Sequence, residues 1–338
     1  MLTDDKYSLA QCMRVSSTFN SITAPILYST MTIDPGYETP YESNVKSQIS
    51  KRISNDTAAN LDLVKHVFAD WHCQISDRMI SMYKNGRVFH IESLKLYAVV
   101  LDRAQDCSDC IDLRKSTQPG GHMCLFIRIH RPRKLVIGDA YPNCANRDIA
   151  VFQQLRTIVY VMGTMRSHSA EARPGSPFPC SSAGVTRIIQ VFGPNGCGRF
   201  GTHPRPITLK PQHHKMRPIV GYISGFALGI EWLMMHHTHI KEFVVVNGCD
   251  IHHLALDLSK HSTDEDKEKK FELMVFDTLL KQVKFEATHR PGHIEIKYNN
   301  RDINIRFIEL EAYLNTYDWS GEFTAEEVSE WLEYQDQE

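Results

Sequence analysis

The hydrophobic positions near the start of the chain repeat with the period of an α-helix. Five of them are three or four residues apart and so share one helix face: Leu9, Cys12, Val15, Phe19 and Ile22. Pro25 disfavours helical backbone at the residue before it and redirects the chain. Residues 26–33 then form an extended run rich in apolar and β-branched side chains. The pattern predicts an amphipathic helix from Ser8 to Thr23, followed by a strand.

Short apolar segments recur through the rest of the chain. Each is rich in Val, Ile and Leu and is bounded by polar or turn residues, as strands are. Their ranges are 63–68, 91–100, 133–137, 155–162, 186–192 and 240–246. Segments with helical spacing separate several of them, at 77–83, 147–154 and 221–237. This alternation of strands and helices indicates an α/β fold with mostly parallel pairing.

Two architectures fit this alternation. In a curved, leucine-rich-repeat-like array, L-x-L and L-x-x-L-x-V fragments occupy the strand positions, as several do here. In the other, a single irregular α/β domain has an ordinary sheet. The uneven intervals between strands leave both open, and we favour the array. Residues 34–60 have a linker composition, residues 61–338 form the body, and 163–184 and 193–218 are long loops within it.

The last third of the chain has clearer sequence signals for where helices, strands and turns begin and end. Residues 262–265 form a helix start, and the helix is expected to run to about Gln282. Strands are predicted at 283–287, 293–298 and 303–310, with a hairpin turn at 299–302. Thr324 starts a short final helix. Four large apolar residues are then expected to cap the last strand, completing a hairpin and cap over 283–334: Trp319, Phe323, Val328 and Trp331.

Composition and charge narrow the class of protein. The chain has 338 residues, 42% hydrophobic and 23% charged, as in an ordinary soluble domain. Its net charge of −2 argues against a nucleic-acid-binding protein. No apolar run is long enough for a bilayer, and no signal peptide is visible. The nine cysteines are scattered and odd in number, which indicates free thiols and a cytoplasmic or nuclear location.

Candidate chemical motifs are weak throughout the sequence. The glycine-rich segment 193–200 lacks the lysine and the hydroxyl residue of a phosphate-binding loop, and prolines follow where a helix is required. Dense histidines at 236–239 contain no HExxH pattern. No G-x-S-x-G elbow occurs. One set has a spacing compatible with zinc, although two exposed thiols on a loop and one buried cysteine are the favoured explanation: Cys107, Cys110, His122 and Cys124.

Two motifs resemble those of a known family. Residues 9–28 read L-x-x-C-x-x-V-S-x-x-F-x-x-x-x-x-P-x-L-Y, which resembles the second half of the F-box of many fungal F-box proteins. Residues 313–332 read Y-L…D-W-x-G-E-F-T-x-E-E-V-x-x-W-L, which looks like the tail of the same family. The resemblance implies a partial F-box-like segment at 1–33, followed by an irregular leucine-rich-repeat-like α/β body.

The resemblance also implies a function. An F-box docks on the Skp-type adaptor of a cullin–RING ubiquitin ligase, and the body holds a target protein. Such a receptor is not an enzyme and needs no cofactor. The residues that would contact the adaptor are those of the motif and of its apolar helix face: Leu9, Cys12, Val15, Phe19, Ile22, Pro25, Leu27 and Tyr28.

Two other functions stay open at this point. The family's Leu-Pro-x-Glu helix start does not precede Ser8, which favours a stand-alone leucine-rich-repeat-like interaction module without a ligase. A metal-dependent enzyme would use the Cys107 or His236 groups. In each case the target is unidentified, and neither nucleic acid nor a membrane is an expected partner.

Overall fold

The computed structural model describes the parts of the chain that form regular elements and their flanks. These are residues 15–33, 63–69, 88–97, 130–138, 154–163, 184–193, 238–250, 256–259, 261–282 and 286–323, with Ser8, Gln11, 227, 229–231, 233–235, 327–329 and 331–332. Together they form a mixed α/β protein in which most strand pairs are parallel. The predicted fold class is confirmed at this level.

The chain divides into two compact units. The first comprises Met1–Leu135 and Ser320–Glu322, and the second comprises Val136–Trp319 and Phe323–Glu338. The boundary lies inside one strand, so that strand contributes residues to both. A short segment close to the end of the sequence thus belongs to the unit that contains its beginning.

The first unit contains one helix and the first strands. The elements are α1 (Ser17–Leu27), β1 (Thr30–Ile33), β2 (His66–Ala69), β3 (Phe89–Tyr97) and the start of β4 (His130–Gly138). Strands β1 to β4 are neighbours in chain order, and the pairs β1–β2 and β2–β3 are parallel. Leu94 and Leu96 of β3 are fully buried. The unit is a progression in which each strand lies beside the next one along the chain.

The second unit continues from the end of β4. Its strands are β5 (Thr157–Gly163), β6 (Arg187–Gly193), β7 (Glu242–Val246), β8 (Glu286–Arg290), β9 (His293–Tyr298) and β10 (Arg301–Ile308). The order after β4 is β5, β6, β7, β10, β9, β8. β10 pairs with β7 in parallel, and β8, β9 and β10 form an antiparallel meander. Its helices are α2 (Asp264–Gln282) and α3 (Leu310–Thr316).

The sheet of the second unit is buried on both faces, as parallel strands usually are. On one face, valines and isoleucines of β5, β6 and β7 pack against four residues of the C-terminal region: Leu310, Tyr313, Phe323 and Trp331. On the other face, Phe271 of α2 contacts Phe192 and Phe307 edge to face, with ring centroids 5.7 and 5.9 Å apart. The residues expected to cap the last strand thus pack on the core formed by β5, β6 and β7: Trp319, Phe323, Val328 and Trp331.

Local sequence signals explain where α2 begins and where the chain turns between β9 and β10. Thr263 Oγ1 accepts from the Asp266 amide at 3.2 Å, and the Asp266 carboxylate accepts from the Thr263 amide at 3.1 Å. This reciprocal cap is the expected helix start. Asn299 and Asn300 have φ of 49° and 59°, which is the left-handed pair that a two-residue hairpin turn requires. The predicted helix and turn are confirmed, and β8 lies three residues later than predicted.

The six predicted strands of the body are likewise present, with ends that differ by a few residues. The N-terminal prediction needs correction. The helix does not end before Pro25, because α1 runs to Leu27 with the proline inside it. Residues 26 and 27 are therefore helical, and the strand begins only at Thr30.

A carboxylate on α2 is expected to make stability depend on pH. Burial, with the nearby charges of Glu272, Glu309 and Asp264, raises the pKa of Glu268 from 4.5 to about 7. The folded state therefore holds this proton over a range where the unfolded state has released it, so stability falls as pH rises from about 4.5 through 7. In Glu268→Gln this loss disappears.

Urea unfolding at pH 5 and pH 8 tests the prediction. The wild-type midpoint should fall more between the two values than the midpoint of Glu268→Gln. Parallel midpoints for the two proteins would contradict the assignment.

Candidate protein-interaction surface

The N-terminal helix starts at a side-chain cap. Ser16 has extended backbone, with φ −159° and ψ 162°, and its hydroxyl accepts from the Phe19 amide at 3.2 Å. The described residues before it, including Val15, are helical. Ser16 thus interrupts what the apolar spacing predicted as one helix from residue 8 to residue 23. A serine whose side chain satisfies a free amide favours a new helix start over continuation.

An apolar stripe on this segment faces solvent. Val15 is 71% exposed, Phe19 48% and Ile22 58%. Ile26 continues the stripe at 38% exposure. The three of these residues that lie within α1 are Phe19, Ile22 and Ile26. They lie inside an arc of about 60° around the helix axis, because successive residues are rotated by about 100° about that axis. We call these three residues, together with the exposed Val15 that precedes the Ser16 cap, the α1 stripe. Large apolar side chains gathered on one exposed face are typical of a surface that binds another protein.

The remaining predicted site residues have different positions. Pro25 is exposed and lies inside α1, Leu27 ends the helix, and Tyr28 is its C-cap; Leu27 and Tyr28 are partly buried. Leu9 and Cys12 lie outside the described residues. Ile26 was missed, because the prediction assigned it to a strand; its spacing of four from Ile22 would have placed it on the stripe.

The proline is accommodated because it lies close to the end of the helix. The Tyr28 amide donates to the Ala24 carbonyl at 2.9 Å, which closes the last turn beyond the proline. Thr23 Oγ1 donates to the Phe19 carbonyl at 2.7 Å. Thr23 and Ala24 are the two buried residues of α1. The helix is therefore attached through a short contact near its end, and its apolar stripe is left accessible.

Most residues of the other candidate motifs lie outside the described part of the chain. This holds for Cys107, Cys110, His122 and Cys124, for His236 and His237, and for all of the glycine-rich segment 193–200 except Gly193. Among the residues that the structure does describe, no group of three or more His, Cys, Asp or Glu could hold a metal ion. Nor does any described helix have the length and apolar character needed to cross a bilayer.

One arrangement in the first unit has the composition of a catalytic triad. His66 Nδ1 lies 2.9 Å from Ser93 Oγ, and His66 Nε2 lies 3.8 Å from a carboxylate oxygen of Glu92. Ser93 is fully buried, however, and its hydroxyl donates to the Gly321 carbonyl at 3.2 Å. The imidazole must then donate to the serine oxygen, the reverse of what a general base does. The geometry holds residues 320–322 in place and gives no substrate access to Ser93.

Comparison with known proteins gives no relative. The chain matches no protein-family model, no curated protein and no solved structure. The α1 stripe is therefore assigned from its own geometry. A helix that presents Phe19 and its apolar neighbours to solvent can contribute binding energy when a partner buries them.

Proposed function

We propose that the protein is an F-box-like substrate receptor that docks through α1 on the Skp-type adaptor of a cullin–RING ubiquitin ligase. The body holds a target protein, and the receptor contributes proximity without catalysis. The observation that carries the proposal is the exposure of the α1 stripe at the F-box-like motif. Phe19 is a motif position and Ile22 belongs to the same predicted apolar face, and ordinary packing would bury both.

The proposed body is a leucine-rich-repeat-like array that curves as its strands progress. In support, an apolar-x-x-apolar pattern recurs at the start of the strands, and both apolar residues are at most 9% exposed in each copy: Val64 and Val67, Ile91 and Leu94, Leu155 and Ile158, Val185 and Ile188, Ile240 and Phe243. The repeats of such arrays each have two apolar residues, three positions apart, at the start of a parallel strand.

The backbone supports the same reading. The residue just before a strand offers its carbonyl to two successive amides at or next to the start of the following strand. The Ser29, Lys65, Arg156 and Thr186 carbonyls each do so, with distances from 2.7 to 3.3 Å. Equivalent hydrogen bonds between strands that follow one another in chain order support stacked repeats, because a doubly wound sheet reverses its strand order.

Co-purification with the adaptor tests the docking. Val15→Asp combined with Phe19→Asp places two carboxylates on the stripe, which must be desolvated on docking. Because central apolar residues contribute about 2 kcal/mol or more each to such interfaces, we expect the adaptor Kd to rise at least about a hundredfold. Recovery of the adaptor with the purified receptor is the measurement, with Kd from titration.

Asn20→Asp combined with Ser21→Asp is the matched control. Both residues are exposed on the same helix but off the stripe, and the pair adds the same charge. It should recover the adaptor like wild type. Equal recovery with the stripe variant and wild type defeats the docking proposal and leaves the second candidate, a stand-alone leucine-rich-repeat-like interaction module in which α1 has no ligase role.

The proposed location is the cytoplasm or the nucleus, where free thiols stay reduced. Cys249 is a buried thiol that donates a hydrogen bond to Asn247 Oδ1 at 3.3 Å. It is one of nine cysteines in a chain whose spacing indicates no disulfide framework.

A further inference from the structure

The C-terminal region covers only part of the sheet face on which it packs. In the second unit, Val159, Ile189 and Val244 are buried under residues of α3 and the segment that follows. Two residues earlier on the same face, β5, β6 and β7 carry polar side chains instead: Thr157, Arg187 and Glu242. The register pairs Arg187 with Glu242 and Glu242 with Asn304 of β10. A polar row therefore crosses the strands at the edge of the covered region.

Two arginines in this region share one carboxylate. Arg187 Nε donates to Glu242 Oε2 at 2.5 Å, and Arg306 Nε lies 3.4 Å from Glu242 Oε1. The Glu242 side chain is 15% exposed, whereas those of Arg187 and Arg306 are 42% and 51% exposed. A mostly buried carboxylate thus fixes the direction of two guanidinium groups that reach solvent.

An aromatic ring restricts one of these groups further. The Arg187 guanidinium carbon lies 5.5 Å from the centre of the Tyr317 ring, in cation–π geometry. Beyond Asn304, His293 Nε2 lies 3.2 Å from Asn304 Oδ1, and His293 Nδ1 lies 3.7 Å from the half-exposed carboxylate of Glu295. Glu242 therefore contacts both arginines, and Tyr317 contacts Arg187. Asn304, His293 and Glu295 form a polar strip next to them.

The ends of both guanidinium groups are unused within the described part of the chain. Every hydrogen bond and ion pair of Arg187 and Arg306 with a described residue is made by Nε, so the Nη1 and Nη2 amino groups have no partner there. Two positive charges balanced by one carboxylate leave a surplus of one. A planar fork with two free amino groups is the group that binds carboxylate or phosphate oxygens in bidentate fashion.

We propose that Arg187 and Arg306 form an oxyanion-recognition site for an acidic peptide segment of a partner protein, with Glu242 and Tyr317 as positioning residues. The ligand group is a carboxylate or a phosphate, which share the oxygen geometry that the Nη groups fit. The site deepens the target-holding half of the proposed function and is independent of docking through α1. The two can therefore fail separately.

Fluorescence anisotropy with the full-length protein tests the site. The probes are fluorescein-labelled hexaglutamate, a hexapeptide with one phosphoserine among alanines, and hexaglutamine as the uncharged control. We expect saturable binding of one or both anionic probes and none of hexaglutamine. The stronger anionic probe identifies whether carboxylate or phosphate is preferred. Absence of saturable binding by both anionic probes overturns the proposal and leaves a purely structural ion-pair network.

Substitutions of the two arginines test whether the anionic probes bind at this position on the sheet. Arg187→Gln and Arg306→Gln should each weaken binding about tenfold or more, since a hydrogen bond to a charged group contributes about 1.5–3 kcal/mol. Lys241→Gln is the matched control, because Lys241 is an exposed cation that directly precedes Glu242 and lies outside the Arg187–Glu242–Arg306 ion pairs. An equal loss in Lys241→Gln would indicate general charge attraction and would refute a defined site.

A measurement on the wild-type protein guards against misfolded variants. Inorganic phosphate should displace the bound probe more effectively than sodium chloride at equal ionic strength, because phosphate offers oxygens to the guanidinium edges. Equal displacement by the two salts contradicts the proposal without any substitution. The stripe variant Val15→Asp plus Phe19→Asp should bind the probes like wild type, which separates this site from adaptor docking.

Discussion

Gly321→Ala should destabilise the protein by roughly 3 kcal/mol or more, through overlap in a packed site and strain in the backbone. Gly321 has φ of 71°, a backbone conformation that residues other than glycine rarely adopt. A Cβ at this position would overlap Ser93 Oγ and His66 Nδ1, which are themselves hydrogen-bonded. Urea unfolding followed by circular dichroism measures the change in the free energy of unfolding.

Gly292→Ala separates the two contributions. Gly292 has nearly the same backbone, with φ of 74°, but an added Cβ would come no closer than 3.5 Å to the Phe307 carbonyl. It should therefore cost only about 1 kcal/mol, the strain alone. Adding Ser93→Ala to Gly321→Ala removes one overlapping atom and should recover part of the loss. Equal destabilisation by the two alanine variants would show that Gly321 is not in close contact with β2 and β3.

Trp331→Ala should cost about 3–5 kcal/mol, the range for large aromatic residues removed from a core. Trp331 is 4% exposed, and its ring centre lies 4.7 Å from that of Phe323. Both rings cover the valines of β5, β6 and β7. Loss of the Trp331 ring leaves a cavity over the sheet and exposes strand residues to water. The measurement is again the free energy of unfolding, with 1-anilinonaphthalene-8-sulfonate fluorescence as a readout of exposed apolar surface.

Trp319→Ala provides the same chemical change at a less buried position. Trp319 packs against the same core but is only partly buried. We expect less than half of the effect of Trp331→Ala, and little increase in dye binding. A loss at Trp319 as large as at Trp331 would contradict the assignment of Trp331 as the residue that seals this face.

The strands of the body were predictable because each needs only a local signal. Runs of Val, Ile and Leu bounded by polar residues specify β5, β6 and β7 without knowledge of their neighbours. The cap of α2 and the Asn299–Asn300 turn are equally local. The cap over the sheet was predictable as well, since Phe323 and Trp331 are too large and apolar to remain in solvent in a C-terminal segment.

At the N-terminus, two local preferences compete, and sequence alone does not rank them. Apolar spacing favours one helix through residues 8–23, but a serine with a free amide three residues ahead starts a new one. Pro25 disfavours helix, yet it removes only one hydrogen bond when the helix ends two residues later. Whether Phe19 is exposed or buried depends on packing partners, and periodicity gives no information about them.

The Arg187–Glu242–Arg306 arrangement was not predictable for a different reason. The three residues come from three strands, and the register that aligns them depends on the tertiary structure. Buried charges give no sequence signal either. Glu322 is fully buried and its carboxylate lies 2.7 Å from the Lys134 ammonium, yet both residues look like ordinary surface charges in the sequence.

The assignment of residues 320–322 to the first unit affects how the protein is made. The ribosome synthesises residues 136–319 between the two parts of that unit. At about 5–20 residues per second, this interval lasts on the order of ten seconds or more. During that time Ser93 and Lys134 lack their partners Gly321 and Glu322, so the first unit completes its structure only after residues 320–322 have been synthesised.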